Sequence, residues 1–106
     1  MVNRFDVYLI NLDESPTRDP KNTRPAVVVS PDELNRHVDT VIIAPLASTN
    51  ARYPTRIPIN FLNADRHVIL DQIRTVEKRR LVKKIGEIDP ASQAEITSRL
   101  QELLAN

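Results

Sequence analysis

The sequence predicts a small domain that is mainly β-strand and ends in one α-helix. Residues 26–29 and 39–46 are short, strongly apolar runs, which are typical of buried strands. Residues 5–9 alternate apolar and polar side chains with the period of a half-buried strand. Near the end of the chain, Asp89-Pro90 is a typical helix start, and the apolar residues after it are spaced for one helix face. We therefore expect roughly five or six short strands packed against a C-terminal helix.

Composition limits the classes of protein to which the chain can belong. Its 106 residues suit a single domain over residues 1–106, and the aromatic share of 4% requires an aliphatic core. The absence of cysteine excludes disulfides, thiolate metal sites and a cysteine nucleophile. The one glycine, Gly86, excludes a glycine-rich phosphate loop. The absence of cysteine also suits the cytosol, and we recognise no signal peptide or membrane span.

The remaining elements follow from turn residues and apolar spacing. Ser30 and Glu33 are placed to form a capping box for a short helical turn. Leu81 and Val82 are expected to anchor another helical turn inside the basic run at 77–84. In order, we expect a strand at 4–12, a loop at 13–23, a strand at 24–30, a turn or helical turn at 31–37, strands at 39–46 and 55–61, a turn at 62–66, two short strands or one bent strand at 67–76, a last strand near 85–88, and the helix from 90.

Arg24 lies where the long polar loop meets the buried strand at 26–29. Pro25 lacks an N–H group, so it suits the first residue or the edge of a strand. The guanidinium of Arg24 stays charged and matches the geometry of carboxylate or phosphate. Two interpretations are open, an ion pair with a loop carboxylate such as Asp19 or a role in an anion site. Ser48, after the strand at 39–46, offers a hydroxyl that could converge on the same site.

Other polar groups have ordinary structural explanations. His37 and His67 both lie next to predicted turns without metal-ligand partners at suitable spacing, so a solvated surface role is favoured over catalysis. Asp71 is set in an apolar run and must be paired or functional, and pairing with an arginine is the simpler explanation. The basic run could bind a phosphate backbone, but a solvated charged face is the commoner outcome.

Several segments, taken together, resemble the MazF/PemK/Kid family of bacterial toxins. They are Asp6 to Asp13, Thr23 to Ser30, Val41 to Leu46, Tyr53 to Thr55, Leu70 to Val76, Lys83 to Gly86 and the terminal amphipathic helix. The segments occur in the family's order, and the resemblance runs essentially from end to end.

The resemblance implies an SH3-like β-barrel with a C-terminal helix, assembled as a homodimer. It implies a metal-independent endoribonuclease, without a cofactor, that cuts single-stranded RNA at short sequence motifs in the cytoplasm. It also implies inhibition by a cognate antitoxin that occupies the RNA groove. In this chemistry the 2′-hydroxyl attacks phosphorus to give a 2′,3′-cyclic phosphate and a 5′-hydroxyl.

The resemblance also assigns roles to residues. Arg24 is the catalytic cation, and we favour electrostatic stabilisation over proton donation because a guanidinium is a poor acid. Asp19 is a candidate for the base or for orienting the arginine, and Gln72 lies where the family contacts RNA bases. The full set of expected site residues is Arg24, Ser48 and Asp19 for catalysis, with Thr17, Thr23, Ala47, Thr49 and Gln72 for substrate binding.

One position departs from the family pattern. Many relatives have a catalytic threonine after the third strand, where this chain has Ala47 followed by Ser48. An alanine cannot donate a hydrogen bond, so either Ser48 substitutes or catalysis is weakened. Two alternatives therefore stay open beside the ribonuclease, namely an inactive relative that binds an antitoxin and a gyrase poison like CcdB. The absence of a C-terminal aromatic residue counts against the second.

Overall fold

The computed structural model describes residues 1–16, 21–48 and 53–105. Two 3₁₀ turns, Leu70–Gln72 and Lys78–Arg80, separate the later strands. The helices and longer strands are β1 (Asp6–Asn11), β2 (Thr23–Val28), α1 (Asp32–His37), β3 (Thr40–Ala47), β4 (Arg56–Phe61), β5 (Ala64–Ile69), β6 (Arg74–Glu77), β7 (Leu81–Glu87) and α2 (Pro90–Leu104). None of the helices described is long and apolar enough to span a membrane.

The strands form one antiparallel sheet with the order β4-β5-β3-β2-β1-β7. β3 lies at its centre and pairs with β2 along one side. Along its other side β3 changes partner, because Thr40–Ile43 pairs with β6 whereas Leu46 and Ala47 pair with β5. β3 therefore joins both halves of the sheet.

Apolar residues are buried on both faces of the central strands, as the unbroken apolar runs predict. The larger core includes Val27 and Val29 and is covered by Ile96 and Leu100 of α2. The smaller core lies on the opposite face of the sheet. Its buried residues are Ile10, Ala26, Val28, Val41, Ile43 and Val76. Because neighbouring residues of a strand point to opposite faces, an Ala-Val-Val-Val run supplies both cores at once.

The sheet curls until its two outermost strands approach each other. Gly86 of β7 lies against the ring of Phe61 at the end of β4, and a Cβ atom at Gly86 would fall 2.7 Å from the ring's Cζ atom. This contact explains the position of the chain's one glycine. The curled sheet with a helix at its C-terminus confirms the predicted fold, a small β-barrel-like architecture with one α-helix.

The start of α2 also confirms its prediction. Asp89 is the N-cap, its carboxylate accepts a hydrogen bond from the backbone N–H of Ser92 at 3.0 Å, and Pro90 follows in the first turn. The hydrogen bond from Ser92 lowers the pKa of Asp89, because it favours the ionised carboxylate. The carboxylate thus satisfies one of the free N–H groups at the helix start.

Two local predictions were wrong. Ser30 does not cap α1, because its hydroxyl donates to Oδ1 of Asn35 at 2.5 Å and accepts from the backbone N–H of Ile42 at 3.0 Å. The helical turn in the basic run lies at Lys78–Arg80, one turn earlier than expected, and Leu81 already begins β7. In both places a contact with a distant part of the sheet overrides the local sequence signal.

Candidate active site

Arg24 is the second residue of β2, and its side chain is exposed. The guanidinium Nη1 donates to the backbone carbonyl of Thr23 at 3.1 Å, and this bond directs the group along the strand end. Among the described carboxylates, none lies within ion-pair distance of Arg24. The alternative partner Asp19 lies outside the described residues. Arg24 therefore presents a charged fork that can bind an anion from solution.

The strand register brings the start of β2 to the end of β3. Ala26 pairs with Pro45 at the end of the antiparallel β2–β3 ladder, so Arg24 and Ala47 each lie two residues beyond the last pair. On the far side of β3, Ala47 pairs with His67 of β5. Ser48 follows directly and is exposed. The sheet topology thus brings the start of β2 close to the end of β3, and the shared site of Arg24 and Ser48 stays a prediction.

These side chains also share a face of the sheet. Arg24 has the same strand parity as Ala26 and Val28, which belong to the smaller core, and Ala47 has the same parity as Ile43. Directly opposed residues of an antiparallel pair project to the same side. The candidate site therefore lies at one end of the outer face that carries the smaller core.

Two other expected site residues lie on neighbouring elements that the structure describes. Thr23 is half-buried at the start of β2 and pairs with Asn11 of β1. Gln72 is exposed in the 3₁₀ turn between β5 and β6, which packs against β3 on the side away from β2. Thr17, Asp19 and Thr49 lie outside the described residues, so their expected roles stay predictions.

Arg80 holds the end of β1 and the residues that follow it. Its Nη1 atom donates to the carbonyl oxygens of Asn11 at 3.1 Å and Asp13 at 2.7 Å, and its Nη2 atom donates to the carbonyl of Glu14 at 3.4 Å. The planar guanidinium suits this multiple contact better than an ammonium would. Within the basic run, this residue is therefore a structural clamp and not part of a solvated charged face.

Asp71 has the structural role that the sequence favoured. Its carboxylate forms an ion pair with Nη2 of Arg56 at 3.3 Å and accepts a hydrogen bond from Oγ1 of Thr55 at 3.0 Å. The hydrogen bond from Arg56, with further help from Thr55, lowers the pKa of Asp71. Asp71 thus stabilises the junction between β4 and the 3₁₀ turn, which separates β5 from β6 as two short strands.

Sequence reasoning missed the position of His67. It was expected on a solvated surface, but the residue is half-buried in β5, and its Nδ1 atom is enclosed without a partner among the described groups. Its pairing with Ala47 depends on a register that links strands distant in the sequence. His37 is exposed at the end of α1, as expected.

The arrangement suits chemistry on an anion. A fixed cation, a neighbouring hydroxyl and exposed strand ends can bind a phosphodiester and stabilise charge that develops on its oxygens. Within the described part of the chain, no three His, Asp or Glu side chains form a cluster that could hold a metal ion.

Comparison with known proteins agrees with the fold and with the motifs. Residues 3–104 match the family model of the PemK-like, MazF-like toxin of type II toxin–antitoxin systems. An endoribonuclease MazF from Staphylococcus epidermidis is 31% identical, and the alignment covers 94% of this chain and 88% of that protein.

Solved structures extend the comparison. An endoribonuclease from a Mycobacterial species, in complex with its cognate antitoxin, is 27% identical, with a TM-score of 0.84 over 98% of this chain and 95% of that one. A second endoribonuclease from a Mycobacterial species has a TM-score of 0.81 at 27% identity, over 97% and 90% of the two chains. The matches favour the ribonuclease interpretation over a gyrase poison. The chain belongs to the PemK-like, MazF-like family of toxins of type II toxin–antitoxin systems.

Proposed function

We propose that this protein is an endoribonuclease toxin that cleaves single-stranded RNA, mRNA included, at short sequence motifs without a metal ion. The observation that carries the proposal is Arg24, an exposed guanidinium at the joined ends of β2 and β3. Family membership supplies the reaction class, since the relative from Staphylococcus epidermidis is named an endoribonuclease.

In the proposed reaction the 2′-hydroxyl of the RNA attacks the adjacent phosphorus. The hydroxyl gives up its proton, the new P–O2′ bond closes a 2′,3′-cyclic phosphate, and the P–O5′ bond breaks. The departing 5′-oxygen takes a proton and becomes a hydroxyl. Negative charge grows on the phosphate oxygens during attack, and Arg24 stabilises it as a fixed cation. Ser48 supplies a second hydrogen-bond donor at the end of β3, next to Ala47.

Substrate binding extends from this centre along neighbouring segments. Thr23 flanks the arginine, and Gln72 is an exposed amide that can read base edges. We propose that Thr17 and Thr49 contribute further contacts. Asp19 is the proposed group that orients Arg24 or accepts a proton.

The test is cleavage of single-stranded RNA in EDTA with mapped product ends. Arg24→Ala should lower the cleavage rate by at least about 10²- to 10³-fold, since it removes the charge that meets the developing oxyanion. The matched control is Arg99→Ala, whose guanidinium lies on α2 in ion pairs with Glu95 and Glu102. We expect that variant to cleave at the rate of the wild-type protein.

Each remaining outcome has a definite meaning. Full activity in Arg24→Ala would contradict the role of the arginine. Intact RNA together with inhibited gyrase supercoiling would favour the other toxin activity of this fold. Intact RNA with retained antitoxin binding would identify an inactive relative, the possibility that Ala47 raises.

Family membership also suggests the partners. We propose that a cognate antitoxin covers the RNA groove, as the mycobacterial structure is described as a complex of an endoribonuclease with its antitoxin. We further propose that residues 1–106 act as one toxin domain, that two copies form a homodimer, and that the protein works in the cytoplasm. Light scattering of the purified protein tests the dimer, and an equimolar antitoxin should stop cleavage.

A further inference from the structure

His67 lies directly beside the candidate active site. It pairs with Ala47 across β3 and β5 and with Pro58 across β5 and β4. Its ring is half-buried, with Nδ1 enclosed and unpartnered among the described groups. Nε2 is then the nitrogen that can meet a bound molecule.

Three residues of the candidate site lie on neighbouring strands. His67 pairs with Ala47 across β5 and β3. Arg24 lies two residues before Ala26, which closes the β2–β3 ladder with Pro45, and Ala47 lies two residues after Pro45. By strand parity all three side chains project to the face that carries the smaller core. In the strand order β5-β3-β2, Ala47 therefore stands between the strand of His67 and the strand of Arg24.

We propose that His67 is a further catalytic residue of this site, acting as the general base; the inference rests on the proposed RNA cleavage. Nε2 of the neutral ring accepts the proton of the 2′-hydroxyl as that oxygen bonds to phosphorus. The P–O5′ bond breaks, and the 5′-oxygen takes a proton from water. The imidazolium then returns its proton to water, and the site is restored for the next substrate.

Among the residues that the structure describes, the other groups nearby are unsuited to this step. Arg24 has no lone pair that can accept a proton, and the hydroxyl of Ser48 is a weak base. On β4, Arg56 is bound to the carboxylate of Asp71, which is thereby committed as an acceptor. The imidazole of His67, in contrast, has a ring nitrogen whose lone pair can accept a proton.

A ring placed here also accounts for the departure at position 47. Because the imidazole of His67 can already form a hydrogen bond to the substrate, position 47 at the end of β3 can carry a methyl group. Loss of the family threonine and presence of His67 are then two parts of one arrangement.

The experiment compares single-turnover cleavage by the wild-type protein, His67→Ala and His67→Asn. Both variants should lower kcat by about 10²-fold or more, the usual loss of a general base. Affinity for an RNA that carries a 2′-deoxynucleotide at the mapped cleavage site should stay within about twofold, since binding does not use the proton transfer. Added imidazole should restore activity to His67→Ala. The matched control is His37→Ala, which removes the exposed histidine of α1 and should change nothing.

The outcomes separate this inference from the proposed function. If the wild-type protein cleaves RNA and the folded His67→Ala variant has the same kcat, the role of His67 is overturned. The ribonuclease assignment then stays intact. Equal losses of kcat and RNA affinity, without imidazole rescue, would also overturn it. Absence of cleavage by the wild-type protein would contradict both. If His67→Ala does not fold, the test uses His67→Asn, which retains a planar polar side chain. A lowered kcat in that variant supports the role of His67, and an unchanged kcat overturns it.

Discussion

Ala47 is the last residue of β3 and pairs with His67 of β5. Its methyl group makes no hydrogen bond, so the donor nearest to it along the strand is the hydroxyl of Ser48. Ser48 is exposed and lies one residue beyond the end of β3. A serine there replaces a donor at position 47 incompletely.

This geometry predicts the relative effects of two substitutions. Ala47→Thr should raise the RNA cleavage rate by a larger factor than that by which Ser48→Ala lowers it, because the new hydroxyl is on the same face of the sheet as Arg24. A restored hydrogen-bond donor to the developing oxyanion can raise the cleavage rate by up to about 10²-fold. The measurement is single-turnover cleavage of one defined RNA. The opposite ranking would mean that Ser48 already performs the full function of the missing hydroxyl.

At the scale of elements, the residues that follow β1 are held by Arg80, which lies in the 3₁₀ turn Lys78–Arg80. Arg80 binds the carbonyls that leave β1, and the backbone N–H of Leu12 donates to the carbonyl of Asn22 at 2.8 Å, which closes the segment between β1 and β2 at its base. This segment leads directly into Arg24. The clamp therefore holds the residues that follow β1, while β2 and its arginine are positioned by pairing with β1.

Removal of the clamp should loosen the base of this segment. We expect Arg80→Ala to speed hydrogen exchange at the amide of Leu12 and to raise the KM for RNA more than it changes kcat. Arg80→Lys should recover part of the loss, since an ammonium can meet one or two carbonyls but lacks the fork. The control is Arg79→Ala, whose exposed guanidinium pairs with Glu77 on the same turn. Equal exchange rates in Arg80→Ala and wild type would show that β1 and β2 hold the segment without help.

The elements also show where sequence analysis succeeds. α2 was predictable because its N-cap, first-turn proline and apolar stripe are all local signals. β2 and β3 were predictable because both of their faces are buried, which leaves a continuous apolar run. Arg80 could not be identified from its sequence context, since a basic run has the same letters whether its guanidinium faces solvent or binds a carbonyl.

At the scale of the whole molecule, the sequence determines the fold class more readily than the site. Arg24 stood out because it directly precedes a proline and a core strand. His67 did not, because its importance depends on the register between β3 and β5, and register is a property of the assembled sheet. The family resemblance supplied the anion for Arg24, yet it carried no information about His67.

Closure of the sheet leads to a last prediction. Gly86→Ala should destabilise the protein by about 1–2 kcal/mol, because the new methyl group meets the Cζ and Cε1 atoms of Phe61. The ring is 7% exposed and held in the larger core, so it cannot swing away. In a Phe61→Leu background the shorter side chain should remove most of the cost of Gly86→Ala. Urea denaturation of the four proteins measures this coupling, with Lys83→Ala as an exposed control on the same strand. An equal cost of Gly86→Ala in both backgrounds would mean that the outer strands close the sheet without this contact.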